Sequence, residues 1–349
     1  MIIFSDPHLG LNRKAHTTKA SRVQLSEAIH NRAVSIVWMW EDEGETVVCA
    51  GDLFDTFSNP EDEILKAAEV ARKCDVILAG NHDSLNKIDA KGSLHMIHEL
   101  IDREKTVIVA NPSFDEPHCL IGDVEGMQIA CIPHHATQEL FEQAIVMVVK
   151  AASAYLLRAV FLHCNYNNPL TEGSQTALNL TEENAKSLLS VSDYVFLGHE
   201  HAPRTLMDGR LVILGNIHPT SFGDISDKFY WRLTPDSLDS LICWREDTGF
   251  CELDITEEVP PPPREGSVQF VDIVGSITAE KGADLAQYIN DIWHHTKPLM
   301  VRNSVSIVAD NNVSAEVVDV ADLPAQIAKQ LKGTNLEETY NHYRGKAKC

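Results

Sequence analysis

Five short segments place metal-binding side-chain types immediately after apolar runs that read as strands. They are Asp6-Pro7-His8, Gly51-Asp52-Leu53-Phe54-Asp55, Gly80-Asn81-His82-Asp83, His163 within Phe161-Leu162-His163-Cys164-Asn165, and Gly198-His199-Glu200-His201. Carboxylate, imidazole and amide oxygen without thiolate suit Mn²⁺, Fe or Zn²⁺ rather than a structural cysteine-type zinc. Two cations about 3.5–4 Å apart would share a bridging carboxylate and clamp the attacking and leaving oxygens of a phosphoryl displacement. Glycines before Asp52, Asn81 and His199 let the backbone turn sharply there. Each segment alone reads as a turn or a hydrogen-bonded structural histidine. Five in series point to one shared site.

Those segments need a scaffold that brings strand ends together. The first two-thirds alternates short apolar runs with helical stretches, the signature of an α/β fold. Strands are expected at 2–5, 46–50, 75–79, 106–109, 128–132, 159–162, 193–197 and 211–214, with helices over 20–40, 60–73 and 92–101. In open α/β sheets, ligands bind in the crevice beyond the carboxyl ends of the strands. The run Val259-Pro260-Pro261-Pro262-Pro263-Arg264 stops this pattern, because consecutive prolines continue neither helix nor central strand. A second unit follows, with strands expected at 268–274 and 305–309 and helices at 283–294 and 324–332. The division is a first domain over 1–255, a proline-rich linker over 256–266 and a small α/β unit over 267–349.

A length of 349 residues suits two domains, and 44% hydrophobic with 23% charged residues excludes wholesale disorder. No apolar run approaches the roughly 20 residues of a membrane span, so no membrane partner is expected. Met1-Ile2-Ile3-Phe4-Ser5 lacks a basic lead, and the eight scattered cysteines form no CxxC pair. Both features lead to the expectation of a cytoplasmic protein with free thiols, in the host cytoplasm if the source is viral. The formal charge of −22 excludes a broad basic surface for nucleic acid. The one basic cluster near the motifs contains Arg13, Lys14, His16, Lys19 and Arg22, and reads as a solvated helix start or as phosphate contacts. His134 and His135, after Pro133, and His218 are further candidates for contact with a substrate. Trp38, Met39 and Trp40 read as packing residues.

The five segments resemble the motifs of the calcineurin-like metallophosphoesterases. Within that superfamily, Ser5-Asp6-Pro7-His8-Leu9-Gly10, Ala50-Gly51-Asp52-Leu53-Phe54-Asp55-Thr56 and Gly80-Asn81-His82-Asp83-Ser84 are closer to the SbcD-type nuclease subunits of bacteria and phages. Gly215-Asn216-Ile217-His218-Pro219-Thr220-Ser221-Phe222-Gly223-Asp224 resembles that branch's closing strand and loop. Thr56 and Phe57 follow Asp55 where protein phosphatases of the superfamily have Arg-Gly.

The resemblance implies a sandwich of two mixed β-sheets flanked by helices, with a small C-terminal α/β cap. It also implies two divalent ions, Mn²⁺ first, with Mg²⁺, Fe or Zn²⁺ as alternatives. Asp6, His8 and His201 would hold one ion, and Asn81, His163 and His199 the other, with Asp52 bridging. His82 would act on the leaving group, oriented by Asp55. Asp83 reads as a turn residue, and Glu200 as pointing away from its histidine neighbours. The implied activity is a DNA exonuclease and endonuclease subunit that works through metal-bound hydroxide. Its expected setting is DNA end processing, recombination or replication. The implied partner is an SbcC-type coiled-coil ATPase, docked through residues 323–344, and homodimerisation is a further expectation. The alternatives are a small-molecule phosphodiesterase or phosphomonoesterase on the same scaffold, or a non-catalytic scaffold.

Overall fold

The computed structural model describes residues 1–308 except 42–43, 85–91, 102–104, 112, 114, 153–155 and 169–177. Its centre is built from very short strands. Ile2–Phe4, Val47–Cys49 and Val76–Leu78 have three residues each, all buried. Apolar side chains on both faces are what a parallel sheet covered on two sides requires. These three run parallel in that order, with Val107–Val109 beyond them. On the other side Lys228–Leu233 pairs antiparallel with Ile2–Phe4, and Leu238–Trp244 closes that edge.

A second six-stranded sheet runs in the order Arg204–Leu206, Leu211–Ile213, Ser192–Gly198, Leu157–His163, Met127–Ile132 and Leu120–Val124. Its four inner strands are parallel and its two edge strands antiparallel. Alternation along each strand sends side chains to two cores. Ile3, Val48, Val76 and Leu78 meet Ile129, Phe161, Phe196 and Val212 between the sheets. Ile2, Phe4 and Cys49 turn outward to Leu25, Ile29 and Ala67 on helices Lys19–Glu41 and Glu61–Ala71. Val160, Leu162 and Leu197 turn to helices Gln138–Ala151 and Glu182–Leu189. The result is two mixed sheets face to face with helices outside, as expected for the fold class.

The small unit has a parallel sheet of Phe250–Asp254, Phe270–Val274 and Met300–Asn303, covered by helix Gly282–His295. Leu253, Val271 and Ile273 pack there on Leu285, Tyr288 and Ile292. Phe250–Asp254 precedes the prolines, so this sheet starts upstream of residue 255, where the sequence places the end of the first domain. Its apolar side chains find their partners across the linker, a pairing that no local pattern reveals. Phe270 and Met300 belong to the core of the first unit, so the two units share a packed interface. Residues 323–344 and the helix expected at 324–332 lie outside the described residues.

Candidate metal centre

The chain ends of the two sheets are stitched together by the site residues themselves. Asp6 N–H donates to the Gly51 carbonyl (3.0 Å), His8 N–H to that of Asp52 (3.1 Å) and Leu9 N–H to that of Leu53 (2.9 Å). The carboxylate of Asp6 accepts the His199 N–H at 3.1 and 3.0 Å, which ties the second sheet to the first. Asp83, buried, accepts from the N–H groups of Leu53, Phe54 and Gly80. It is the brace between two motifs, consistent with its reading as a turn residue. Glu200 points away as expected, accepting from Tyr166 N–H and pairing with Arg204.

Four of the site residues carry left-handed backbone: Asp6 (φ 52°), His8 (47°), Asp52 (48°) and His199 (90°). Such strain in non-glycine residues persists where surrounding contacts enforce it, and it concentrates at functional sites. Gly51 has φ 110°, and a Cβ there would stand 2.0 Å from His163 Nδ1; one on Gly80 would stand 2.1 Å from Asp52 Oδ1. Only glycine fits between these donors.

The side chains converge in three overlapping groups whose donor atoms lie within 4.8 Å of one another: Asp6, His8 and His201; Asp52, His163 and His199; His8, Asp55 and His82. His8 Nε2 and His201 Nε2 are 3.1 Å apart. Asp52 Oδ2 lies 3.1 Å from His163 Nε2 and 3.9 Å from His8 Nε2, between the first two groups. Its Oδ1 accepts the His82 N–H at 2.8 Å. Asn81 Oδ1 is 2.8 Å from His199 Nδ1.

The remaining ring nitrogens are anchored from outside. His163 Nδ1 donates to the Ala50 carbonyl (3.0 Å) and His201 Nδ1 to Asp224 Oδ2 (3.1 Å). His8 Nδ1 stands 3.4 Å from Asp55 Oδ1. His82 Nδ1 donates to the main-chain carbonyl of Asp55. Here the structure departs from the expected orientation of His82 by the Asp55 carboxylate: the residue holds His82 through its backbone and turns its carboxylate towards His8.

Electrostatically the cluster is a set of opposed, largely buried charges. Burial alone would lower His163, but Asp52 and Asp6 beside it lift it to about 10. Burial likewise works against His8, and its carboxylate neighbours Asp55, Asp52 and Asp6 raise it. Asp52 is held well below the usual carboxylate range by His163, His8 and His82 despite its burial. His199 is pushed down to about 4 by burial and by His163.

These residues fit a pair of divalent ions. The buried Nε2 of His163 lacks a hydrogen-bond partner among the described residues, and two imidazole nitrogens face each other at contact distance. Hard and borderline donors gather in two adjacent sets with Asp52 between them, the arrangement a bridging carboxylate requires. Seven cysteines are free, and none joins a donor group among the described residues.

The weaker candidates scatter. Arg13 and Lys14 are exposed, and their carbonyls accept the Thr17 hydroxyl. His16 leans on the small unit, its carbonyl accepting the Val301 N–H (2.9 Å) and its ring edge-on to Phe222. His134 is buried beside the site, its N–H on the Ala79 carbonyl and its ring within electrostatic reach of His163, Asp52 and His199. His135 is structural, donating to the Pro133 carbonyl and accepting from His118 N–H. His218 lies instead in packing, against Trp244 and Phe270. Asp224 is the residue that motif reasoning passes over. It accepts from His201, Asn216, Thr220 and Ser221, and only its place in the 215–224 segment signals it.

A two-sheet sandwich bearing this donor set suits metal-dependent phosphoester chemistry. Residues 1–203 match the calcineurin-like phosphoesterase family, and the chain belongs to that family. That family typically binds two divalent metals. Among solved structures the chain is similar to a putative 5'-nucleotidase from Staphylococcus aureus in complex with alpha-ketoglutarate, at 12% identity and a TM-score of 0.40. That match covers 69% of this chain and 52% of the other. A 5'-nucleotidase precursor from Thermus thermophilus matches at 11% identity and a TM-score of 0.38, covering 69% and 54%. The chain thus spans about half the length of these two. No helix among the described residues is long and apolar enough to cross a membrane.

Proposed function

We propose that this chain hydrolyses phosphodiester bonds of DNA, with Asp6, His8 and His201 holding one divalent ion, Asn81, His163 and His199 a second, and Asp52 shared. When bound, the ions supply Lewis-acid charge to the phosphoryl oxygens and a nucleophile drawn from water at neutral pH. The chain's own groups do the rest. Asp55 holds His8 so that Nε2 faces the donors, and Asp224 does the same for His201. His82, with Nδ1–H fixed on a carbonyl, keeps Nε2 free; as an imidazolium it gives its Nε2 proton to the leaving oxygen.

The observation that carries a diester over a monoester concerns charge. Among the described residues, none of the hydrogen bonds or ion pairs of these eight side chains involves a lysine or arginine side chain. A diester monoanion carries one negative charge less than a monoester dianion, and so suits a site whose cations would be two metals and one imidazolium. DNA as the diester rests on the wording of the motifs, which resembles the SbcD-type subunits. Acidic as the chain is, a coiled-coil ATPase partner would supply the hold on DNA and this chain the cleavage.

The formal charge of −22 favours a second reading, a small phosphoester such as a nucleotide. The test compares hydrolysis of linear and hairpin duplex DNA, bis-nitrophenyl phosphate and nitrophenyl phosphate in Mn²⁺ and in Mg²⁺, with and without the ATPase. DNA cleavage that depends on Mn²⁺ is expected. Turnover of the monoester or of free nucleotides alone would establish the second reading.

A further inference from the structure

Arg22 and Arg32 are the half-buried arginines whose guanidinium has no partner among the described residues, and of the two only Arg32 has a nitrogen out of contact with solvent. Arg158, Arg232 and Arg302, also half-buried, each bond a carboxylate or a carbonyl. Arg32, on helix Lys19–Glu41, is half-buried with its Nε out of contact with solvent, and none of its five N–H donors has a partner among the described residues. A shielded Nε–H without a partner is costly unless a ligand completes it.

It opens on a cavity of about 340 Å³ at the joint between the two units. From the first unit come Arg32, Cys243, Trp244 and Arg245; from the small unit's side come Gly249, Ser267 and Gln269. Among the described residues no acidic side chain lines it, although the chain has 51 Asp and Glu against 29 Lys and Arg. Arg245 forms no ion pair there among the described residues either; its carbonyl, not its guanidinium, is engaged by Gly249 N–H and Thr248. Another hollow, along helix Glu182–Leu189, is lined by Glu182 and Glu183, and its lysine is already paired with Glu182.

The lining explains what can bind. Ser267 and Thr248 donate their hydroxyl protons to the carbonyls of Arg264 and Arg245, so the side-chain donors left are the two guanidinium groups and the Gln269 amide, whose Oε1 is held by Trp244. Trp244 is closed to stacking: Gly249 lies against its ring, where a Cβ would stand 2.2 Å from the indole, and its Nε1–H is held by Gln269. Two guanidinium forks, no acid and no open aromatic face suit a compact oxyanion rather than a base or an apolar group.

We propose that the Arg32–Arg245 cavity is a phosphoryl-binding site separate from the metal centre, taking free phosphate, a mononucleotide or one phosphate of a DNA backbone. Because both units line it, an anion there would also pin the small unit to the first. The site does not depend on which phosphoester the metal centre cleaves.

The test uses the full chain stripped of metal with a chelator, so that the centre offers phosphate no cations. Calorimetric titration is run with inorganic phosphate, a deoxynucleoside 5'-monophosphate and hairpin DNA. Phosphate is expected to bind, and Arg32→Gln and Arg245→Gln to weaken it at least about tenfold, about 1.4 kcal/mol. Asp52→Asn and the exposed Arg72→Gln serve as controls and should bind as the parent does, and circular dichroism checks that each variant is folded. Loss of DNA affinity in Arg32→Gln would identify a backbone phosphate, and loss confined to the small anions a free one. Absence of phosphate binding, or equal binding by the parent and folded Arg32→Gln, overturns the proposal whatever the substrate of the metal centre.

Discussion

His8 and His201 face each other Nε2 to Nε2 at 3.1 Å across the join between the two sheets. His201 has its proton on Nδ1, where Asp224 accepts it, so its Nε2 presents a lone pair. His8 turns Nδ1 towards Asp55 at 3.4 Å. Two imidazole nitrogens at that distance can both reach one cation, so this pair lies where the Asp6–His8–His201 donors gather.

Asp224 should therefore tune the metal without touching it. Asp224→Asn is expected to reduce affinity for Mn²⁺ about 10–100-fold, as loss of a ligand-orienting carboxylate does elsewhere. Titration of the stripped protein followed by electron paramagnetic resonance checks this. Unchanged affinity would mean that His201 is held by its loop alone.

His82 has the opposite profile. His82→Ala should leave two metals per chain by elemental analysis while lowering the catalytic rate about 10²–10⁴-fold. A lost metal would make it a ligand rather than a proton donor.

Gly80 guards the bridging carboxylate. In Gly80→Ala the new methyl would fall 2.1 Å from Asp52 Oδ1 and displace a group that also accepts the His82 N–H. Metal occupancy should drop below two and activity with it, by about 10–100-fold. Elemental analysis and steady-state rates on one preparation read both.

The stripped protein should be acid-sensitive through His218. Burial pushes this imidazole down to about 4, against about 6.5 when unfolded. A depressed histidine contributes fully above pH 6.5, and its contribution is lost as pH falls through about 4, at most about 3 kcal/mol. The melting temperature should fall over that window, and less steeply in His218→Gln. Calorimetry with a chelator present measures both slopes.

Most of the central strands are readable in the chain because each is a short apolar run ending in a polar turn. Leu157–His163 and Ser192–Gly198 extend past their expected limits by one or two residues. Helix Gln138–Ala151 is hidden: Ala144-Ile145-Val146-Met147-Val148-Val149 is continuous and rich in β-branching, and looks like a strand. Thr137, which accepts the Leu140 N–H, is the local cue that a helix starts there. Lys228–Leu233 and Leu238–Trp244 are unreadable for another reason. They have interleaved polar residues, and the pair joins the sheet through Lys228–Leu233 on Ile2–Phe4, more than two hundred residues away.

The residue types at the metal centre are a property of the chain: seven oxygen and nitrogen donors and one further histidine, each following an apolar run. Which atom each donor offers is decided only in the folded molecule. An imidazole presents one nitrogen because its other nitrogen is occupied, and the occupants are remote: the Ala50 carbonyl for His163, Asp224 for His201, the Asp55 backbone for His82. Local sequence sets what can bind a cation. Hydrogen bonds across the two sheets set the direction in which it is bound, because a lone pair points only where a distant acceptor has fixed the proton on the opposite side of the ring.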